Sequence, residues 1–226
     1  KSKIIKKVIV ATSKETEDEL IYDLCKKNKI DVFRGNLKNL LDRYYLCGKK
    51  FKSDLIVRVT SDCPLMDVNL IDKMLINYLK NPVDYLSNIH PPTYPDGFDV
   101  EIFPLEILNK IRKLVKKDYE KEHVTPYIWD NPKLFKLMNF TEFENDALYR
   151  EYRLTLDYVK DFYVISKIYN KLYFKNKFFS LQDIIKYIKK DKKILINKNL
   201  IKVNWYRKVY KELKTISKKE TNLNLN

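Results

Sequence analysis

The chain has 226 residues, a formal charge of +15 and three cysteines at unrelated spacings, which is long enough for one hydrophobic core. No run of eighteen apolar residues and no signal-peptide pattern at Lys1 is present, and the cysteines make neither a zinc motif nor a disulfide framework, so a cytoplasmic protein with free thiols and no membrane span is expected. The charge comes from 38 lysines spread along the chain and only seven arginines, in a sequence with three glycines. It therefore reads as a solvated lysine-rich surface, with no nucleic acid expected as partner.

Val8-Ile9-Val10-Ala11 predicts a short buried strand, with Thr12 and Ser13 at its carboxyl end. Residues 14–28 predict a helix, acidic at its start and basic at its end as the helix dipole favours, with Leu20, Ile21 and Leu24 inward. A strand over 31–33 leads through Arg34-Gly35-Asn36 to a helix over 37–50 carrying Leu40, Leu41, Tyr44 and Tyr45. Leu55 to Val59 then forms an apolar, β-branched run that reads as a buried parallel strand. Pro64 cannot continue a ladder, so that strand ends near Thr60 and leaves Asp62 just past its carboxyl end. In open α/β sheets that rim is where ligands bind, and an acid there is placed to hold a divalent cation against phosphate oxygens. The competing reading makes Asp62 a turn or helix-capping residue, because Pro64 and Asp67 also resemble a helix start.

A helix over 67–79 and a strand over 83–86 continue the alternation, which argues for an α/β fold with helices on both faces of a parallel or mixed sheet. The pattern breaks at Ser87, and residues 88–97 are too rich in proline and turn formers for a core element. In the strand predicted next, over 98–103, alternation puts Asp99 and Glu101 on one face and Val100 and Ile102 on the other. An ordinary helix is expected over 104–117. His123 follows in a polar, aromatic stretch, and strands are expected over 134–140 and 152–156, the second ending at Asp157. A helix over 158–174 should bury Phe162, Ile165, Ile168, Tyr169 and Leu172, and Ser180 should cap a helix over 181–190. The tail reads as a last amphipathic helix over 205–216, which makes 1–217 one domain and 218–226 a disordered end.

Where lysine is the default cation, Arg34, Arg43, Arg58 and Arg153 mark places that suit a rigid bidentate fork, and phosphate and carboxylate are its natural partners. Gly35 and Gly97 lie in turn-like segments, where positive φ or close backbone approach would require glycine.

Several stretches occur in a familiar order. They are Val32-Phe33-Arg34-Gly35, Leu41-Asp42-Arg43-Tyr44, Arg58-Val59-Thr60-Ser61-Asp62-Cys63-Pro64-Leu65, Tyr94-Pro95-Asp96-Gly97-Phe98-Asp99-Val100-Glu101, Glu122-His123-Val124-Thr125-Pro126-Tyr127 and Arg153-Leu154-Thr155-Leu156-Asp157. Over roughly residues 5 to 175 the chain resembles the cytidylyltransferases named for a spore-coat polysaccharide biosynthesis protein, relatives of the CMP-sialic acid and CMP-Kdo synthetases. The resemblance implies a Rossmann-like, glycosyltransferase-A-type, mostly parallel sheet flanked by helices, with an inserted β segment and a helical C-terminus. It also implies transfer of CMP from CTP to an acidic or phosphorylated sugar with release of pyrophosphate, assisted by Mg²⁺, in a possible homodimer. Asp62 and Asp157 would be the metal-ligand pair, and Arg34, Arg58 and Arg153 the contacts to phosphate or substrate carboxylate. Asp96, Gly97, Asp99 and Glu101 would bind the sugar, and His123 would orient the acceptor or act as base.

The largest departure from that family is at the beginning, where its members carry a strand, a Gly- and Arg-containing phosphate loop and a helix before the point at which this chain starts. A trimmed version of a longer protein is therefore expected, catalytically poor without that loop. Ser61 stands where the family usually has Gly, and Asn39 where an acid is common. Two alternatives stay open at this point: a glycosyltransferase-A-type enzyme that uses Asp96 and Asp99 on a ready-made nucleotide sugar, and a non-catalytic homologue.

Overall fold

The computed structural model describes residues 2–143, 147–203, 209 and 211–214. Within them the strands are β1 (Ile9–Ser13), β2 (Asp31–Gly35), β3 (Leu55–Arg58), β4 (Tyr85–Ser87), β5 (Glu101–Pro104) and β6 (Leu137–Asn139). The helices are α1 (Glu19–Lys27), α2 (Leu40–Lys50), α3 (Val68–Lys80), α4 (Leu105–Ile111), α5 (Asp118–His123), α6 (Pro126–Trp129), α7 (Ala147–Glu151), α8 (Val159–Leu172) and α9 (Leu181–Lys190). β1 and β2 pair in parallel as one piece, and the larger sheet runs β3-β5-β4-β6. β4 and β6 are parallel, whereas β5 lies antiparallel to both its neighbours and is the inserted β segment.

Successive residues of β5 enter opposite cores, as a pleat of period two demands. Ile102 joins Leu86, Met74, Val164 and Ile184 on the face covered by α3, α8 and α9. Phe103 joins Tyr85, Leu41, Leu108 and Trp129 on the face covered by α2, α4 and α6. Each such fully buried side chain contributes roughly 1.5–3 kcal/mol. Local capping agrees with the sequence: Asn39 accepts from the Asp42 amide at the start of α2, Asp67 from the Asn69 amide at α3, and Ser180 from the Asp183 amide at α9.

Five expectations need correction. β3 is half-exposed, pairs antiparallel with β5, and carries no strand on its other edge among the described residues. α1 buries only Cys25, while Leu20 and Leu24 are 80% and 61% exposed. It lies against a two-stranded ribbon whose strands are about 5 Å apart, narrower than the roughly 10 Å helix, so much of its apolar side finds no cover. In α8 the inward stripe is rotated toward Asp161 and Val164, leaving Phe162 exposed, because Asp161 is drawn inside by Arg153. Residues 104–117 form only the shorter α4. Finally, 152–156 is an extended connector and not a ladder strand, joined to its neighbours through an isolated bridge from Asp96 to Arg153. Of the tail helix expected over 205–216, only 209 and 211–214 are described, and 218–226 lies outside the described residues.

Candidate functional site

Three segments meet beyond the carboxyl ends of β3 and β4. They are the loop 60–63 after β3, the proline-rich loop leading into β5, and the connector 152–157. The connector stitches the other two together. The Leu154 amide donates to the Asp96 carbonyl at 2.7 Å, and the Leu156 amide to the Asp62 carbonyl at 2.9 Å, reinforced by the Thr155 hydroxyl at 3.3 Å. Gly97 makes the first of these contacts possible. Its φ is 103°, and a Cβ there would stand 2.3 Å from the Leu154 carbonyl carbon, so any side chain would force the segments apart.

The result is a cavity of about 290 Å³ lined by Arg58, Asp62, Asp96, Asp99, Glu101, His123, Arg153 and Asp157. Eight of the ten residues to which the resemblance gives a site role therefore share one hollow. Gly97 lies behind its wall, as a packing requirement. Arg34 is elsewhere: its Nε donates to the Ser13 carbonyl, Nη2 to the Glu15 carbonyl and Nη1 to the Glu19 carboxylate, tying down the loop after β1.

The two arginines of the cavity differ. Arg153 is 2% exposed and uses all five of its N–H donors on protein oxygens. Nε bonds Asp161, Nη1 bonds Asp96 (2.9 Å) and the Val203 carbonyl (3.2 Å), and Nη2 bonds Asp157 and Asp161 (3.1 Å). Saturated in this way, it orients carboxylates and has no donor left for phosphate. Arg58 pairs through Nη1 with Glu101, its Nε has no partner among the described residues, and its guanidinium lies 5.6 Å from the Tyr44 ring centre. Glu101 is fixed in turn by the hydroxyls of Tyr85 at 2.7 Å and Thr125 at 2.5 Å.

Five carboxylates against two guanidiniums leave the cavity negative. Burial, with Asp157 and Asp62 nearby and only Arg153 opposing, pushes the Asp96 carboxyl up to about 7. Burial and the charges of Asp96, Asp62 and Glu101 push Asp99 well above the ordinary range. Asp161 behaves oppositely: burial would lift it, but hydrogen bonds from Arg153 and Asn197 prevail and hold it below its ordinary value.

His123 ends α5, and Val124 after it has a φ of 71°, a left-handed conformation that a β-branched residue adopts only under strain. That turn brings His123 and Thr125, on either side of it, both to the cavity wall. Trp129, Tyr149, Ile89 and Pro92 supply an apolar side. Sequence reasoning missed Asp161, Asn197, Thr125 and Val203. Asp161 carried one usable signal, its place three residues after Tyr158 at a helix start, where an acid reaches back to the backbone. Asn197, in a lysine-rich tail, carried none.

Acids gathered past the strand ends of an α/β fold lie where such folds bind their ligands. A sequence model described as cytidylyltransferase matches residues 1–201. An uncharacterized protein of Methanocaldococcus jannaschii is 40% identical over 216 residues, covering 92% of this chain and 84% of that protein. The spore coat polysaccharide biosynthesis protein SpsF of Bacillus subtilis is 31% identical over 164 residues, covering 73% of this chain and 67% of its own. The solved structure of a cytidylyltransferase from Leptospira borgpetersenii superposes with a TM-score of 0.80 at 36% identity, covering 87% of this chain and 81% of that one. The chain belongs to the cytidylyltransferase family and is a nucleotidyltransferase with a Rossmann-like fold.

Proposed function

We propose that the protein transfers CMP from CTP to an acidic or phosphorylated sugar destined for cell-surface polysaccharide, releasing pyrophosphate. The observation that carries this reading is the convergence of Asp62, Asp157, Arg58 and His123 on one cavity, in a chain similar to SpsF over 73% of its length. Family membership favours this reaction over the alternative that consumes a finished nucleotide sugar.

A net-negative cavity does not hold a triphosphate unaided, so a divalent cation is part of the proposal. Among the described residues no three His, Cys, Asp or Glu side chains are grouped to hold a metal by themselves. Mg²⁺ asks for less, because one or two carboxylates suffice when waters and phosphate oxygens complete its octahedron. Asp62 and Asp157 fit that requirement: their segments are joined by the Leu156–Asp62 hydrogen bond, both line the cavity, and the charge of each raises Asp96. Bound there, Mg²⁺ would neutralise charge on the α-phosphate. Arg58, which lines the cavity and pairs with the single carboxylate of Glu101, would take a phosphate or substrate-carboxylate oxygen. His123 would orient the acceptor oxygen or take its proton as that oxygen attacks phosphorus in line with the departing pyrophosphate. Asp99 would meet sugar hydroxyls, and the Trp129 side would cover the apolar face of the ring.

The test is pyrophosphate release by the full-length protein from each of the four nucleoside triphosphates, with Mg²⁺ and a panel of acidic sugars and sugar phosphates. CTP-specific release is expected. Equal release from all four, or release only from a purine triphosphate, would overturn the cytidylyl assignment.

A further inference from the structure

The Arg153 fork is gripped from behind by a stretch of chain far from it in sequence. Asn197 lies between two short 3-10 turns, Lys192–Ile194 and Lys198–Leu200, and is 1% exposed. Its Nδ2 donates to the Arg153 carbonyl at 3.0 Å and to Asp161 Oδ1 at 2.7 Å. Six residues on, the Val203 carbonyl accepts from Arg153 Nη1, and Val203 itself reaches the cavity. Asp161 is the hub of this arrangement. It is fully buried and accepts from Arg153, from Asn197, and from the amides of Asp157 and Tyr158.

A satisfied core amide would be the plain account of Asn197. Two observations go further. Its Oδ1 is buried with no partner among the described residues, so its donor side is the side that is used. The group it donates to is not passive packing either: Asp161 orients the guanidinium that holds Asp96 and Asp157 at the cavity wall. Asp96 and Asp157 each owe their direction to a donor that Asn197 and Val203 help to fix.

We propose that Asn197 is a positioning residue of the active site, setting Asp161 and through it the Arg153 fork, so that the segment 192–203 belongs to the catalytic machinery. Asn197 touches no reacting atom. Its effect passes through two intermediaries to Asp157, as an outer-shell partner acts on a ligand. The activity part of the test rests on the nucleotidyl-transfer reading above, and the metal-binding part does not.

The experiment compares full-length wild type, Asn197→Ala and Asn197→Asp. The Asp variant keeps the shape but lacks the donor and sets a second carboxylate against Asp161. Mn²⁺ binding, first without nucleotide and then with CTP, is followed by electron paramagnetic resonance, pyrophosphate release gives kcat and KM, and melting temperature reports the fold. Outer-shell changes cost about 10- to 100-fold. At saturating cation Asn197→Ala is expected to lower kcat within that range while KM for CTP stays within about twofold, its Mn²⁺ affinity is expected to fall by a similar factor, and Asn197→Asp is expected to be worse on both counts. A variant that melts lower yet keeps wild-type kcat per folded molecule and wild-type Mn²⁺ affinity would overturn the proposal. Asn197→Ser, which keeps one donor, serves if Ala does not fold; it is expected to fall between Ala and wild type, and wild-type values would overturn the proposal equally. If wild type binds Mn²⁺ but releases no pyrophosphate from any nucleotide, the reaction assignment fails, and Mn²⁺ affinity alone still decides the role of Asn197.

Discussion

Two arginine clusters line the cavity, and they are built on opposite plans. Around Arg153 three carboxylates and one carbonyl meet one guanidinium, and every N–H donor is engaged inside the protein. Around Arg58 a single carboxylate, Glu101, is the ionic partner, and Nε has none among the described residues. The first cluster is finished without substrate and fixes the directions of the acids. The second leaves a buried Nε without a partner among the described residues, beside the one ion pair to Glu101. An arginine in a binding motif can therefore be scaffold or contact, and the donor count separates the two.

The comparison can be tested by substitution, from the largest expected effect to the smallest. Asp62→Asn removes a proposed cation ligand and should lower pyrophosphate release about a thousandfold, roughly 4 kcal/mol of barrier, with little change in melting temperature. Arg153→Leu leaves Asp161 charged, buried and unpaired, so urea unfolding should show a loss of about 3–5 kcal/mol. Arg58→Lys retains the charge opposite Glu101 but gives up the fork. Its kcat/KM for CTP should fall by the equivalent of about 1.5–3 kcal/mol, with a much smaller stability change. If Arg58→Lys unfolds the protein while Arg153→Leu stays stable, the assignment of scaffold and contact is reversed.

The mildest effect is on pH dependence. Burial pushes the Asp96 carboxyl up to about 7 in the folded chain, against an ordinary 3.8 when unfolded, so the folded state holds the extra proton between those limits. Its contribution to stability is then greatest below about pH 4 and declines as pH rises through 7. In EDTA, melting temperature should slope downward over that window, and Asp96→Asn should flatten the slope. An unchanged slope in Asp96→Asn would mean that Arg153 already keeps this carboxylate charged at neutral pH.

How much of this was legible beforehand depended on how local each signal was. Asp62 could be read because Pro64 ends its strand two residues later. Asp99 and Glu101 could be read because a strand alternates, and the hollow formed by the quoted motifs contains both. Strand pairing is not local, so nothing in Leu55–Arg58 showed that β3 would be half-exposed and antiparallel to β5. Leu20 and Leu24 were correctly placed on one side of a helix but misjudged as inward, because periodicity identifies an apolar side without showing that anything covers it. Arg153 was singled out as an exceptional residue, but the protein groups that engage its donors were not legible. Its partners Asp161 and Asn197 are joined across 36 residues, and only the folded chain brings them together.

The measurement that bears most directly on the central claim is calorimetric titration of CTP into the full-length protein with Mg²⁺, with EDTA, and with Mg²⁺ in Asp62→Asn. Binding that needs Mg²⁺ and is lost in Asp62→Asn is the result predicted for a cation held at Asp62 and Asp157 against the triphosphate. Binding of equal strength in all three titrations would contradict it, and would place the nucleotide away from this cavity's acids.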